Sequence, residues 1–314
     1  MRKFLSVLIA CIAVFAAHAE QWAQVGIPVT CLRATPAHSS EQVSQAILAT
    51  PLKITEKKGD WYKVNTPDGY TGWVRSNTVK LRSEADMARW RQTPRAVCKN
   101  WTSRLYNEAY EPDGYCTYGV FLSTSDEAEV EPGWLEVTTP DGNNHFARAS
   151  DFYRSTEDWE QACSRSGASE VIAVAMSMLG APYLWGGTSS LAPDCSGFTQ
   201  TAYMAAGMLL PRDTSMQIKC GEAVDGISDA KPGDLVFYGD NGRVNHVAIY
   251  LGDERIIHSS GHVRICRMNE RASGNEELYT DKPMSIRRVL GVSGTKADEA
   301  APGVPSLVRS NWYF

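Results

Sequence analysis

Residues 193–199 read PDCSGFT, and further along the run NHVAIYLGDERIIHSSG carries His246 and His258. A thiol and two imidazoles are enough for acyl transfer: a nucleophile, a base that takes its proton, and a group that orients the base. Cys195 opens a helical pattern with Phe198, Ala202, Ala205 and Leu209 on one face. A helix start offers unpaired backbone N–H groups and the positive end of the macrodipole, which favour a thiolate and could receive an oxyanion. The plainer reading of Cys195 is a half-cystine or a small core hydrophobe.

The imidazoles depend on strand register. If Gly252–Glu254 form a three-residue loop, residue 258 stands opposite residue 248, and His246 lies diagonally beside His258 on one face. A two-residue loop puts them on opposite faces and leaves two independent surface histidines.

The N-terminus sets the compartment. Arg2 and Lys3 precede FLSVLIACIAVFAA, and Ala17–Ala19 close the apolar run before Glu20. This is the layout of a secretory signal peptide over residues 1–19, too short for a comfortable membrane span, so no stable membrane insertion is expected. A lipoprotein reading at Leu8–Cys11 is weakened by the apolar sequence after Cys11. Of eight cysteines, the leader removes Cys11 and leaves an odd set: Cys31, Cys98, Cys116, Cys163, Cys195, Cys220 and Cys266. An odd set in an oxidising compartment leaves at least one thiol unpaired. There is no C-x-x-C, and neither a metal nor a cofactor is expected. A net charge of −5 argues against nucleic acid as a partner.

The elements that must carry this chemistry fall into two kinds. GDWYKVNTPDGYTGWV (Gly59–Val74) recurs as PGWLEVTTPDGNNHFA (Pro132–Ala147), aligning Trp61 with Trp134, Val64 with Val137, and Trp73 with Phe146. Each copy reads as a strand, an Asp-Gly turn and a second strand, so two small β-barrels are expected over 22–82 and 93–153. Ser83 and the acidic residues after it predict a capped helix over 83–92 between them. A linker over 154–168 leads to an α+β domain over 169–293: a helix ending near Gly180, the cysteine helix, then strands. Residues 294–314 read as a loose extension with an aromatic end, NWYF.

PYLWGG, DCSGF, LPRDTSMQ, KPGDLVFY, HVAIYLG and IIHSS, in that order over about residues 169–292, resemble the NlpC-type cell-wall peptidases, papain-like cysteine enzymes. The resemblance implies Cys195 as nucleophile, His246 as base, His258 as orienting residue, and Tyr183 near the oxyanion site. The front units resemble bacterial SH3-like domains, and the whole layout is similar to the dipeptidyl-peptidase VI type. That type cleaves γ-D-glutamyl–diamino acid bonds in murein peptides after an N-terminal L-Ala-γ-D-Glu unit. By the same resemblance, Asp194 and Ser196 hold the substrate's free amine, Trp185 and Thr214 line the pocket, and Tyr70 and Glu41 reach in from the first SH3-like domain. The repeat supports Tyr70, because the second copy has Asn143 there and the fold itself does not require a tyrosine. The competing structural readings are an N-cap for Asp194, packing for Trp185 and Thr214, and exposed surface for Tyr70 and Glu41. Arg212 and Asp234 read as structural turn residues. An acyltransferase or amidase on the same fold, or a wall-binding module without activity, are the alternative functions.

Overall fold

The computed structural model describes residues 21–165, 167–268, 277–278, 282–290 and 303–314. The leader expected over 1–19 and residues 294–302 of the extension lie outside the described residues.

Strands β1 (Gln21–Val25), β2 (Val29–Arg33), β3 (Gln42–Ile47), β4 (Pro51–Lys58), β5 (Trp61–Asn65), β6 (Thr71–Arg75) and β7 (Val79–Arg82) form one sheet in the order 3-2-6-5-4-1-7. Helix α1 (Glu84–Gln92) follows. Its capping box is complete: Ser83 Oγ accepts the Asp86 N–H while the Asp86 carboxylate accepts the Ser83 N–H.

Strands β8 (Arg95–Cys98), β9 (Thr102–Tyr106), β10 (Pro112–Thr117), β11 (Phe121–Glu131), β12 (Trp134–Thr138), β13 (Asn144–Arg148) and β14 (Phe152–Tyr153) form a second sheet in the order 10-9-13-12-11-8-14. Subtracting seven from each label returns the first order, so the sequence repeat is a repeat of topology. Alternation closes both cores: Ala23, Leu32, Leu52, Val64 and Val74 in the first, Ala96, Leu122, Leu135, Val137 and Ala147 in the second are fully buried.

Residues 154–168 are more than a linker. Ser155 Oγ accepts the Asp158 N–H at 3.0 Å and starts helix α2 (Thr156–Arg165). Its Trp159 and Cys163, four apart on one face, are buried against Phe121, Leu209 and Tyr313. The far end of the extension is not loose either. Leu307, Val308 and Tyr313 are buried in that cluster, Trp312 meets Trp22 edge-on at 5.2 Å, and Tyr313 O accepts from the buried Arg95 at 2.6 Å. The tail thus joins the first unit, the second unit and the third domain.

The third domain sets helices α3 (Ala168–Ser177), α4 (Cys195–Tyr203) and α5 (Thr214–Gln217) with a third sheet. Its strands are β15 (Glu222–Val224), β16 (Leu235–Asp240), β17 (Arg243–Gly252), β18 (Arg255–Ser260), β19 (His262–Arg267), β20 (Glu277–Leu278) and β21 (Ser285–Arg288), ordered 15-21-16-17-18-19-20. Phe198, Ala202, Val247, Ile249 and Ile257 share one core cluster, which fixes α4 against β17 and β18. Mixed helices and sheets make the chain α+β, with two small β units of one topology ahead of an α+β domain.

Candidate active site

Helix α4 is entirely buried, and its N-terminus is held by a knot of short contacts. Asp194 caps it, accepting the Gly197 N–H at 2.8 Å. Gly197 has to be glycine, since a Cβ would stand 2.0 Å from the Gly187 carbonyl oxygen. That close approach brings the PYLWGG loop down onto the helix start.

The backbone N–H groups of Ser196 and Val247 lie near enough to the Cys195 sulfur to favour its thiolate. The second of these puts the thiol beside the segment of β17 that carries His246. Burial and the neighbouring Asp194 carboxylate outweigh both donors and push the thiol up to about 11. The helix-start argument is therefore corrected: the Ser196 N–H of the helix start acts on the sulfur, and the Val247 N–H of β17 adds to it, but the two do not outweigh burial and Asp194. The thiol stays protonated until a base takes its proton.

His246 Nε2 lies 2.7 Å from His258 Nδ1, with the rings at 74°. The register is the favourable one, although the loop that sets it differs from the expected three residues. Asp253 and Glu254, at φ +50° and +56°, form a two-residue turn closed by Gly252 and Arg255. A bulge between Tyr250 and Gly252 adds the missing residue, so Ile249 still pairs with Ile257 and both histidines share a face. His258 is fully buried, and burial, reinforced by His246, Arg264 and His262, pulls it down to about 3. It is a neutral imidazole at working pH.

A cleft of about 540 Å³ opens onto the thiol, lined by Glu41, Tyr70, Tyr183, Trp185, Asp194, Cys195, Ser196 and Thr214 among others. Eight sequence-predicted residues thus share one cavity, which Asn245, next to His246 in β17, also lines, with His258 in contact with His246. The first unit forms one wall: the Trp185 indole donates to Glu41 Oε1 at 2.8 Å, and Gln42 Nε2 donates to the Trp185 carbonyl at 3.0 Å. Trp185 is nonetheless 62% exposed, a rim residue rather than a packed one. Tyr183 is partly buried, and burial together with Cys195 and Asp194 raises its hydroxyl to about 12, so it is a donor.

Two expectations change here. Asp194 already accepts from Gly186 N–H, Gly197 N–H, Ser196 Oγ and, with both oxygens, the Arg212 guanidinium. Ser196 Oγ also accepts from Arg212 Nη1 at 2.8 Å. These groups build the floor of the cleft and have little left for a ligand amine. Arg212, read as a turn residue, is 2% exposed and is the cation that neutralises Asp194. Asp234 does remain structural, paired with Arg288 and accepting the Lys231 N–H.

The residue missed by sequence reasoning is Asp213. It stands at the N-cap position of α5, where an aspartate needs no further explanation, yet its side chain makes no cap bond. Its carboxylate instead faces the cleft near Tyr70, and the two groups act on one another electrostatically. Burial, with Asp194 and Asp68 nearby, raises its pKa. Among the described residues no group of ligating side chains could hold a metal ion.

Comparison with known proteins agrees with this layout. Residues 180–281 match the NlpC/P60 family, and residues 29–80 match the bacterial SH3 domain. A γ-D-glutamyl-L-lysine dipeptidyl-peptidase of Bacillus cereus is 34% identical over 79% of this chain and 75% of its own. The Bacillus subtilis protein of the same name is 28% identical over 78% and 80%. A crystal structure of an NlpC/P60 family protein from Bacillus cereus superposes with a TM-score of 0.72 at 26% identity, covering 85% of this chain and 99% of that one. The glycine-tight helix start, the paired histidines and the front β units therefore have one explanation: the chain belongs to the NlpC/P60 family.

Proposed function

We propose that this protein is a cysteine peptidase that hydrolyses the γ-D-Glu–diamino acid bond of murein peptides bearing a free N-terminal L-Ala. The observation that carries the reading is the shared lining of the cleft. Tyr70 and Glu41 of the first β unit line it together with Asp213 and Trp185 of the third domain, and we read the space beside Cys195 as a short blind pocket. A pocket walled by Asp213 and Glu41 suits a cationic amine, and a phenol beside them adds a hydrogen-bonding edge. An amide-linked L-Ala, as in intact wall, brings neither the charge nor the room.

In the reaction, His246 Nδ1 takes the Cys195 proton and the sulfur attacks the γ-carbonyl carbon. The oxyanion collects at the first turn of α4, with Tyr183 as a further donor. His246 returns the proton to the departing α-amine of the diamino acid, leaving a thioester. Water, deprotonated by His246, then releases the L-Ala-γ-D-Glu dipeptide and restores the thiol. His258, uncharged, holds the His246 ring. The leader sequence supports export, so the substrate is met outside the cytoplasm. None of the helices among the described residues is long and apolar enough to cross a membrane.

Mass analysis of products from L-Ala-γ-D-Glu-diaminopimelate, its lysine counterpart and their N-acetylated forms tests this. The free peptides should yield L-Ala-γ-D-Glu and the acetylated ones should resist. Cys195→Ala should remain folded without turnover, since no other group can form the thioester. Equal cleavage of free and acetylated peptides would overturn the blind pocket, and turnover by Cys195→Ala would overturn the nucleophile.

A further inference from the structure

Three adjacent strands carry a diagonal chain of side chains beyond the histidine pair. Ile256 pairs with Cys266 and His258 pairs with Arg264, so Cys266 lies diagonally across from His258 on the same face. His258 Nε2 stands 3.3 Å from Cys266 Sγ, and the cysteine is fully buried. The Arg264 Nε–H reaches the same nitrogen at 3.5 Å.

These contacts decide which tautomer the base adopts. If His246 is to accept a proton at Nδ1, its own proton must sit on Nε2 and be donated to His258 Nδ1. His258, a neutral ring, must then carry its proton on Nε2 and needs an acceptor there. Arginine cannot accept; it can only donate. Donation to that nitrogen by Arg264, or by the Cys266 S–H, would fix the opposite arrangement: His258 protonated on Nδ1 and donating to His246 Nε2, with His246 protonated on Nδ1 and unable to take the thiol proton. The 3.3 Å contact is ordinary for N–H···S, while 3.5 Å is long for N–H···N.

We propose that Cys266 is a positioning residue which, by accepting the His258 Nε2 proton, holds the His246–His258 pair in the tautomer that can deprotonate Cys195. The proposal rests on His246 being the base. Among the described residues, the charged groups facing His258 are His246, Arg264 and His262, each of which disfavours a second proton on it. The relay thus works by tautomer and not by charge.

The first test is nitrogen NMR of the histidine rings in the wild-type protein, which needs no turnover. His258 should be protonated on Nε2; protonation on Nδ1 overturns the proposal and leaves the peptidase reading intact. In Cys266→Ala the His258 signal should move toward the Nδ1-protonated form. Its kcat should fall about tenfold at unchanged KM, a fraction of the ~10²–10⁴ that a positioned base contributes. Cys266→Ser, whose hydroxyl can still accept, should keep the tautomer and most of kcat, and it carries the test should the alanine variant not fold. Adding Arg264→Gln to Cys266→Ala should recover kcat by removing the competing donor, whereas a merely structural cysteine would give additive damage. An unchanged tautomer and kcat in Cys266→Ala, or no recovery in the double variant, overturns the proposal.

Discussion

The two β units share a strand order and even the details of one turn, yet they serve different ends. In the first, Thr66 Oγ1 donates to Asp68 and to Tyr70 O; in the second, Thr139 Oγ1 donates to Asp141 and to Asn143 O. Gly69 and Gly142 take φ +79° and +88°. The difference lies in the residue that leaves the turn. Tyr70 lines the cleft with Asp213, and the neighbouring Asp68 accepts from Gln200 of α4 at 2.9 Å. Asn143 instead folds back and donates to Asp141 at 2.9 Å, in solvent. The second unit engages the molecule elsewhere, through Arg95, Phe121 and the aromatic tail. A duplicated scaffold has left one copy to shape the pocket and the other to hold the assembly together.

That division can be broken at several points. Arg95→Ala should have the largest effect on stability, a loss of about 2–4 kcal/mol by chemical denaturation, because it empties a buried site and strands the Tyr313 carbonyl. The preference for free over acetylated peptide should survive in the folded fraction; its loss would mean that the second unit also shapes specificity. Tyr70→Asn, which makes the first turn resemble the second, should lower kcat/KM for the free-amine peptide by about ten- to a hundredfold, the range of a hydrogen bond to a charged group, with little change in Tm. A large drop in Tm would place Tyr70 with the scaffold.

A smaller effect is expected from acid. Asp213 must be ionised to attract an amine, and its pKa is raised, chiefly by burial. The preference for the free amine should therefore weaken, as pH falls, before ordinary carboxylates titrate, and Asp213→Asn should lack this limb. The folding linkage has the opposite sign. A carboxyl raised on folding binds its proton more tightly in the native state, so its ionisation costs stability as pH rises through that range. Asp213→Asn should accordingly be no less stable than wild type at neutral pH, and denaturation would show it. The smallest effect belongs to Asn143→Tyr, the reverse exchange. At an exposed turn position it should alter stability by less than ~0.5 kcal/mol and leave kcat/KM unchanged.

The cysteine helix was legible because its cap, its glycine and its apolar face are local signals, and the β repeat because two copies check each other. The histidine register was legible only in outcome. A bulge supplied the residue that the two-residue turn lacked, and bulges leave little trace in a short polar segment such as Leu251–Arg255. Helix α2 was passed over because Trp159 and Cys163 are a short apolar stripe whose partners, Phe121 and Tyr313, are distant in sequence. Asp213 was hidden for a different reason. An aspartate before a helical turn is what local capping calls for, and only the third dimension reveals that the cap bond is not made. The Asp194–Arg212 ion pair left no trace in the sequence, because its members lie on separate segments.

The seated tail has a consequence for timing. Trp312 and Tyr313 lie far along the chain from Trp22 and Arg95, and contacts of such long sequence separation form slowly, because loop-closure entropy is lost before they reward it. Until they form, the Arg95 guanidinium lacks its Tyr313 acceptor and the first unit lacks its Trp312 neighbour. The wall that lines the pocket is then held by its direct contacts with the third domain, such as Gln42 with Trp185 and Asp68 with Gln200. A hydrolase built this way completes its enclosure late in folding, and a chain whose tail is unseated carries the thiol before the finished wall that restrains it.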